Sequence, residues 1–285
     1  MSTPSNRRPR LGALVRAVRI QSAADLRPVL LGSGFFSLLL AAGVIITVGR
    51  MSNDLVEAYT AYGPMFVAGS VGALSGLITM QIASETFTDR VGGALLRVRI
   101  LPHGPLVWTI SKTVTALVHT MATQLAVLLG AALFVSALPL SVAQVLECVP
   151  FIILSSLAAA PLGIAAACAA RGMYSLMVTL LPIMALVATS GAFFPVAALP
   201  RWLQLIHLAL PTYWSGHLTR WALVDDPSWE IGGAFRPEAA LTVLVAWTVV
   251  GLGLLAPALV RRSFRRESIG NLARMQSAAR SQTGT

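Results

Sequence analysis

Three polar side chains fall where a membrane-crossing helix would bury them. Lys112, His119 and Gln124 lie in or at the edge of an apolar stretch, and Lys112 and His119, seven residues apart, share one helical face. An ionisable group inside a bilayer is costly and is a functional candidate by default, so His119 and Gln124 are candidate polar residues of a transport pathway. Lys112 is close enough to the end of the stretch to extend its ammonium to the interface, and a single histidine also reads as an ordinary packing residue. A second constellation, Glu85, Asp89 and Arg90, belongs to a polar segment over 83–112 broken by Gly92, Gly93, Pro102 and Pro105. It offers a compact charged surface to a partner; a plain solvated connection is the alternative.

The chemistry of catalysis is missing. No G-x-x-x-x-G-K-[ST] loop occurs, and Ser111-Lys112-Thr113 lacks the glycine such a phosphate cradle needs. Gly251, Gly253 and Ala256 fit a loose G-x-G-x-x-A, but inside an apolar window with no strand before it. The four histidines and two cysteines show no metal-ligand spacing. Asp225-Asp226 lacks the second carboxylate pair that metal-dependent membrane enzymes use, and together with Glu230 reads as a solvated acidic loop. Cys148 and Cys168 would stand about 30 Å apart on one helix, too far for a disulfide. The chain is therefore expected to be no enzyme, to hold no metal or cofactor of its own, and to draw its energy from elsewhere.

The elements that must position these residues are apolar. Of 285 residues, 56% are hydrophobic and only 11% charged, against about 25% charged in soluble domains. Charge-free windows run 28–49, 58–84, 113–146, 148–170, 172–200 and 239–260, each able to hold the roughly 20 apolar residues that cross about 30 Å of hydrocarbon. These windows predict an all-α polytopic protein with six transmembrane helices over 28–262. Residues 1–27 form a basic leader with Leu11, Leu14, Val15 and Val18 on one face, the pattern of an interfacial amphipathic helix. Pro28 marks its turn into the first span. A cleaved secretory signal is excluded by the length of the first window and its lack of a small-x-small site. Residues 263–285 form a basic tail expected to be disordered. In the second window Gly69, Gly72 and Gly76 allow close helix approach.

A seventh window, 202–219, is the exception, since it carries Pro211, His207, His217 and Gln204. Leu199, Leu203, Ile206 and Leu210 repeat at helical spacing while Gln204 and His207 occupy another face, which predicts an interfacial helix stopped by Pro211, with Trp202, Tyr213 and Trp214 at headgroup level. Charge agrees. All but four of the 21 basic residues, namely Arg50, Arg201, Arg220 and Arg236, then fall on one side of a six-span chain, and the positive-inside rule places both termini in the cytoplasm. A seventh span would put the basic tail outside. The window is thus expected to be an outer re-entrant or interfacial hairpin between spans five and six. The net charge of +10 follows from this topology and attraction to anionic lipid, so no nucleic-acid partner is expected.

These residues resemble a known family. Ser190-Gly191, Phe193-Phe194-Pro195, Leu199-Pro200, Trp202, Leu210-Pro211 and Arg220 are similar to the signature of ABC-2 type permeases, in the drug and lipid export branch that includes daunorubicin-resistance permeases. Asp89-Arg90, Gly93, Leu95-Leu96, Pro102 and Lys112 are similar to the family's cytoplasmic segment, with Asp89 where Glu is usual and Ala94 where Thr is usual. The resemblance covers about 11–262. It implies a second permease, self or homologue, and a separate ABC ATP-binding subunit that carries ATP and Mg. It implies an ATPase-coupling role for Glu85, Asp89, Arg90, Gly93, Leu95 and Pro102. It also implies an outer hairpin or gate built from Ser190, Gly191, Phe193, Phe194, Pro195, Pro200, Trp202, Pro211 and Arg220. The expected function is ATP-driven export of an amphipathic drug, antibiotic or lipid-like cargo across the cell membrane. A proton- or ion-coupled secondary transporter, with His119 as proton site, is the alternative from the residues alone.

Overall fold

The computed structural model describes residues 11–55, 62–101, 103–136, 138–170, 172–224 and 226–266, and all regular structure among them is helical. The leader forms α1 (Leu11–Leu31), which runs through Pro28 and turns at Gly32 into α2 (Ser33–Leu55). The turn therefore lies beyond Pro28, where it was expected. Next, α3 (Tyr62–Ala73), a 3₁₀ turn at Leu74–Gly76 and α4 (Leu77–Val91) join end to end as one apolar rod. Gly93, at φ 72°, starts the short α5 (Ala94–Ile100). There follow α6 (Gly104–Phe134), α7 (Val142–Ala169) and α8 (Met173–Ala188). A hairpin of α9 (Arg201–Ala209) and α10 (Pro211–Leu223) precedes a last rod made of α11 (Pro237–Val250), a π-helical turn at Gly251–Leu255 and α12 (Ala256–Arg266).

Among the described residues five helices are long and apolar enough to cross a membrane: Gly34–Met51, Tyr62–Val91, Gly104–Phe134, Val142–Ala169 and Pro237–Ser263. The fifth window of the sequence gives a shorter element. α8 has 16 residues, about 24 Å of helix, and ends in the turn at Thr189–Ser190 well before Pro200. The third window is also displaced. α6 begins at Gly104 and takes in Lys112, while Ser141 caps α7 through a reciprocal capping box with Gln144, which carries Glu147 into that helix. The basic tail starts as helix, since α12 extends to Arg266; residues 1–10, 56–61 and 267–285 lie outside the described chain.

The Tyr62–Val91 rod is the centre of the fold, buried along most of its length where Gly34–Met51 is largely exposed. Small residues make this possible. Gly163 of α7 faces the backbone of Thr79, whose Oγ1 donates to Ala159 O at 3.0 Å, and Ala159, Ala160, Ala166 and Ala167 continue that seam. With apolar groups equally comfortable in lipid, such close backbone approach is what favours association. In the last rod Pro257 has no N–H to offer the carbonyl of Gly253, and the ladder loosens into the π turn. Gly251 lets that turn rest on Pro161. The Gly251–Ala256 glycine pattern is thus a packing feature within the span.

Candidate functional site

The polar residues gather at opposite ends of the central rod. At the α4 end, Lys112 of α6 is 8% exposed and its Nζ lies 3.2 Å from Asp25 Oδ2 of α1, 3.4 Å from Glu85 Oε2 and 3.2 Å from Asp89 Oδ2 of α4. Glu85 and Asp89 are one helical turn apart and so face the same neighbour. Trp108 Nε1 donates to Asp89 Oδ2 at 2.8 Å, and Gln81 Nε2 donates to Glu85 Oε1 at 2.9 Å. Three carboxylates thus converge on one ammonium, and the segment expected as a polar loop is largely helical, with its acids turned onto Lys112. Lys112 reaches partners inside the chain.

Arg90 points elsewhere. It is buried and donates from Nη1 to Ala170 O at 2.6 Å and from Nη2 to Ser263 Oγ at 2.9 Å, tying α4 to the end of α7 and to α12. Leu95 is buried against Trp108 and Ile164, and Gly93 supplies the left-handed residue that lets α5 fold back. Pro102 lies outside the described residues.

His119 and Gln124 sit further along α6. Gln124 is fully buried and its Nε2 donates to Val71 O at 2.6 Å, a bond that fixes α6 on α3. His119 Nδ1 is 3.0 Å from Gln81 Oε1, and its Nε2 is 3.4 Å from Gly34 O. Because Gln81 gives its amide N–H to Glu85, it turns its oxygen to the histidine. Two acceptors therefore flank one imidazole, and a neutral ring can donate to only one of them.

At the other end the hairpin closes over α3. α8 stops at a turn where Ser190 Oγ donates to Val187 O at 2.7 Å and Gly191 adopts φ 94°. Phe193 is half exposed and its ring lies tilted against Phe66 with centroids 5.7 Å apart, while Tyr62 OH donates to Phe193 O at 2.6 Å. Phe194 and Pro195 are half-buried beside it. Pro200 precedes α9, and Pro211 is the first residue of α10, where a missing N–H costs nothing. α9 turns Trp202, Leu205 and Ile206 outward and buries His207, which meets Thr189 Oγ1 at 3.0 Å. Burial pushes the His207 imidazole down from its ordinary range.

Pro211 was expected to stop the interfacial helix, and α9 does end just before it at Ala209. A turn with Tyr213 and Trp214 as interfacial anchors was expected to follow; instead Pro211 starts a helix that is buried nearly along its length, and those two aromatics are 1% and 5% exposed. Glycines admit it: Gly72 faces the backbone of Ser215 and Gly216, Gly69 faces Gly191 O and the Arg220 guanidinium, and Gly76 receives Val187. Thr219 Oγ1 adds a 2.7 Å bond to Ala68 O.

Arg220 is the keystone. It has no exposure, donates from Nε to Glu230 Oε1 at 2.6 Å and from Nη1 to Gly191 O at 2.8 Å. Glu230 Oε2 accepts from Tyr213 OH at 2.9 Å and from His217 Nδ1 at 2.6 Å. His217 Nε2 accepts the Arg236 N–H at 2.8 Å, so the proton of the ring is on Nδ1. Burial alone would push the Glu230 carboxyl up, but the Arg220 guanidinium and the bonds from His217 and Arg220 outweigh it and hold it at about 2. The sequence placed Glu230 in a solvated loop and gave Tyr213 and His217 no joint role. One signal was available: Arg220 is a lone charge in an apolar run, and Glu230 is an acid within reach.

No curated protein matches the chain. The family profile described as ABC-2 type transporter matches residues 24–224, from within α1 to the end of α10. That span takes in the Lys112 cluster, Arg220 and most of the membrane helices and stops short of Glu230, and the chain belongs to the ABC-2 type transporter family.

Proposed function

We propose that this membrane-embedded transport subunit is the permease of an ATP-driven exporter. A separate ABC ATPase binds ATP and Mg, and a second permease, either another copy or a homologue, completes the pathway. Both termini lie in the cytoplasm. The cargo is an amphipathic drug, antibiotic or lipid-like molecule, and the membrane is the cell membrane.

The observation that carries the reading is the hairpin. Residues apolar enough to suggest a seventh span fold back on α3 and are locked there by Arg220 and Glu230. This leaves α8 short and its end formed by the Ser190–Pro195 turn, suited to act as an outer lid with Phe193 and Phe194 beside the exit. At the far end Asp89 ties α4 to α6, and Arg90 ties it to α7 and α12. Force from a closing ATPase would reach the spans there and shift the balance between inward-open and outward-open states. The test is transport in vesicles holding the chain with its cognate ATPase. Export should require ATP, and export that persists with a hydrolysis-dead ATPase overturns the reading.

One observation favours a second reading, proton coupling: the ring of His119 lies between two acceptors, and Gln81 links it to the Glu85–Lys112 cluster. Transport abolished by a protonophore while ATP is intact, and insensitive to the protonophore in His119→Gln, selects that reading.

A further inference from the structure

We propose that the groove between α1 and α6 is a site for one anionic phospholipid, with an acyl chain in the groove and the phosphate on Arg19. The groove has a volume of about 640 Å³, within the roughly 300–1,000 Å³ of small-molecule sites. Leu14, Val18 and Leu26 of α1 face Ile110 and Val114 of α6 across it, and Arg19 stands exposed at its rim. Water in such a groove would lie against apolar walls, which favours an apolar occupant.

The groove stays open because α1 is pinned to α6 along one line. Ser22 Oγ donates to Ser111 O and Ser111 Oγ to Val18 O, each at 3.4 Å, and Asp25 pairs with Lys112 at 3.2 Å. These bonds hold the angle of α1 and prevent it from rolling onto Val114. Charge selects the occupant. Asp25 is the acid of α1 and is turned to Lys112, whereas Arg16, Arg19 and Arg27 are exposed. Arg19 makes no ion pair among the described residues. A guanidinium beside an apolar channel matches a phosphate joined to an acyl chain, since its planar fork takes two phosphate oxygens. The source is the leaflet on which α1 lies, and the proposal depends on the membrane location of the chain, independent of ATP-driven export.

The test is native mass spectrometry of the full chain with equimolar phosphatidylglycerol and phosphatidylcholine of matched acyl chains. Wild type should retain one phosphatidylglycerol in preference, by about fivefold for one arginine at the membrane surface. Arg19→Gln should remove the preference, and Arg16→Gln should keep it. Ala23→Trp and, from the opposite wall, Val114→Phe should each expel both lipids while the protein still elutes as a single species. Equal loss in Arg16→Gln and Arg19→Gln means diffuse surface attraction and overturns the site. So does phosphatidylglycerol retained in both groove-filling variants. Phosphatidylglycerol retained in Ala23→Trp alongside lost association with the ATPase or with a second copy assigns the groove to a protein and also overturns it.

Discussion

Arg220 Nε and Glu230 Oε1 lie 2.6 Å apart with neither side chain exposed. Ten residues separate them, and the pair anchors α10 to the segment that leads into α11. Removing one partner leaves the other charge buried, at a cost of about 3–5 kcal/mol. Arg220→Met and Glu230→Leu should each lower the melting temperature in detergent sharply. The double variant should recover part of the loss, because an apolar pair needs no desolvated charge. Single variants that melt with the wild type would show that the pair contributes nothing to holding the hairpin.

Acid should act on the same pair. The Glu230 carboxyl titrates at about 2 when folded, against 4.5 as its ordinary value. A depressed folded value means the contribution is complete above about 4.5 and is lost as pH falls towards 2, because the unfolded chain takes up the proton first. Melting temperature should therefore decline across this window in wild type. In Glu230→Gln the baseline should be lower and this part of the decline absent. A variant curve parallel to wild type through the window would rule out Glu230 as its source.

Glycine positions predict a graded series. A methyl group at Gly72 would meet the Ser215 and Gly216 backbone, whereas Gly43 has open space around it. Gly191 sits at φ 94°, which side chains rarely adopt. Gly72→Ala should cost about 1–3 kcal/mol through overpacking, and Gly191→Ala about 1–3 kcal/mol through strain. Gly43→Ala should be neutral or slightly stabilising, since helical alanine is favoured over glycine. Thermal unfolding of the three purified variants checks the order.

The spans were legible because hydrophobicity is a local property. Leu, Val and Ile runs bounded by charge gave five of the six windows a long membrane helix. Boundaries failed where a charge was neutralised by residues far away in sequence. Lys112 looked like the edge of a span, yet Asp25, Glu85 and Asp89 draw it inside one. The hairpin shows the same limit. Tyr213 and Trp214 have the composition of interfacial anchors and of buried packing alike, and what decides the matter is distant in sequence: Gly72 of α3 admits α10 at Ser215 and Gly216, and Ala158, Ala240 and Leu244 cover the aromatics. Pro211 held a usable signal, because proline suits the first turn of a helix as well as the end of one. Glu230 was hidden by its acidic neighbours Asp225 and Asp226, and the lone charge of Arg220 ten residues earlier was the cue to it.

The Lys112 cluster gives the last prediction, on how α1 is held to the spans. Its single ammonium is shared by α1 through Asp25 and by α4 through Glu85 and Asp89. Lys112→Met would leave three carboxylates facing one another across the α1, α4 and α6 junction, and like charges at this separation repel strongly where water is scarce. The carboxylates are partly exposed, so solvent moderates the loss to about 1–3 kcal/mol. The easiest relief is for α1 to swing away, because Ser22 and Ser111 hold it by two bonds of only 3.4 Å. Trypsin should then cut faster at Arg16 and Arg19 in Lys112→Met than in wild type. Lys112→Arg, which keeps the charge, should stay protected. Asp25→Asn added to Lys112→Met should restore part of the protection by removing the carboxylate that α1 carries into the junction. Cleavage at the wild-type rate in Lys112→Met would mean that apolar contacts alone seat α1, and that the ion pairs serve α4 and α6.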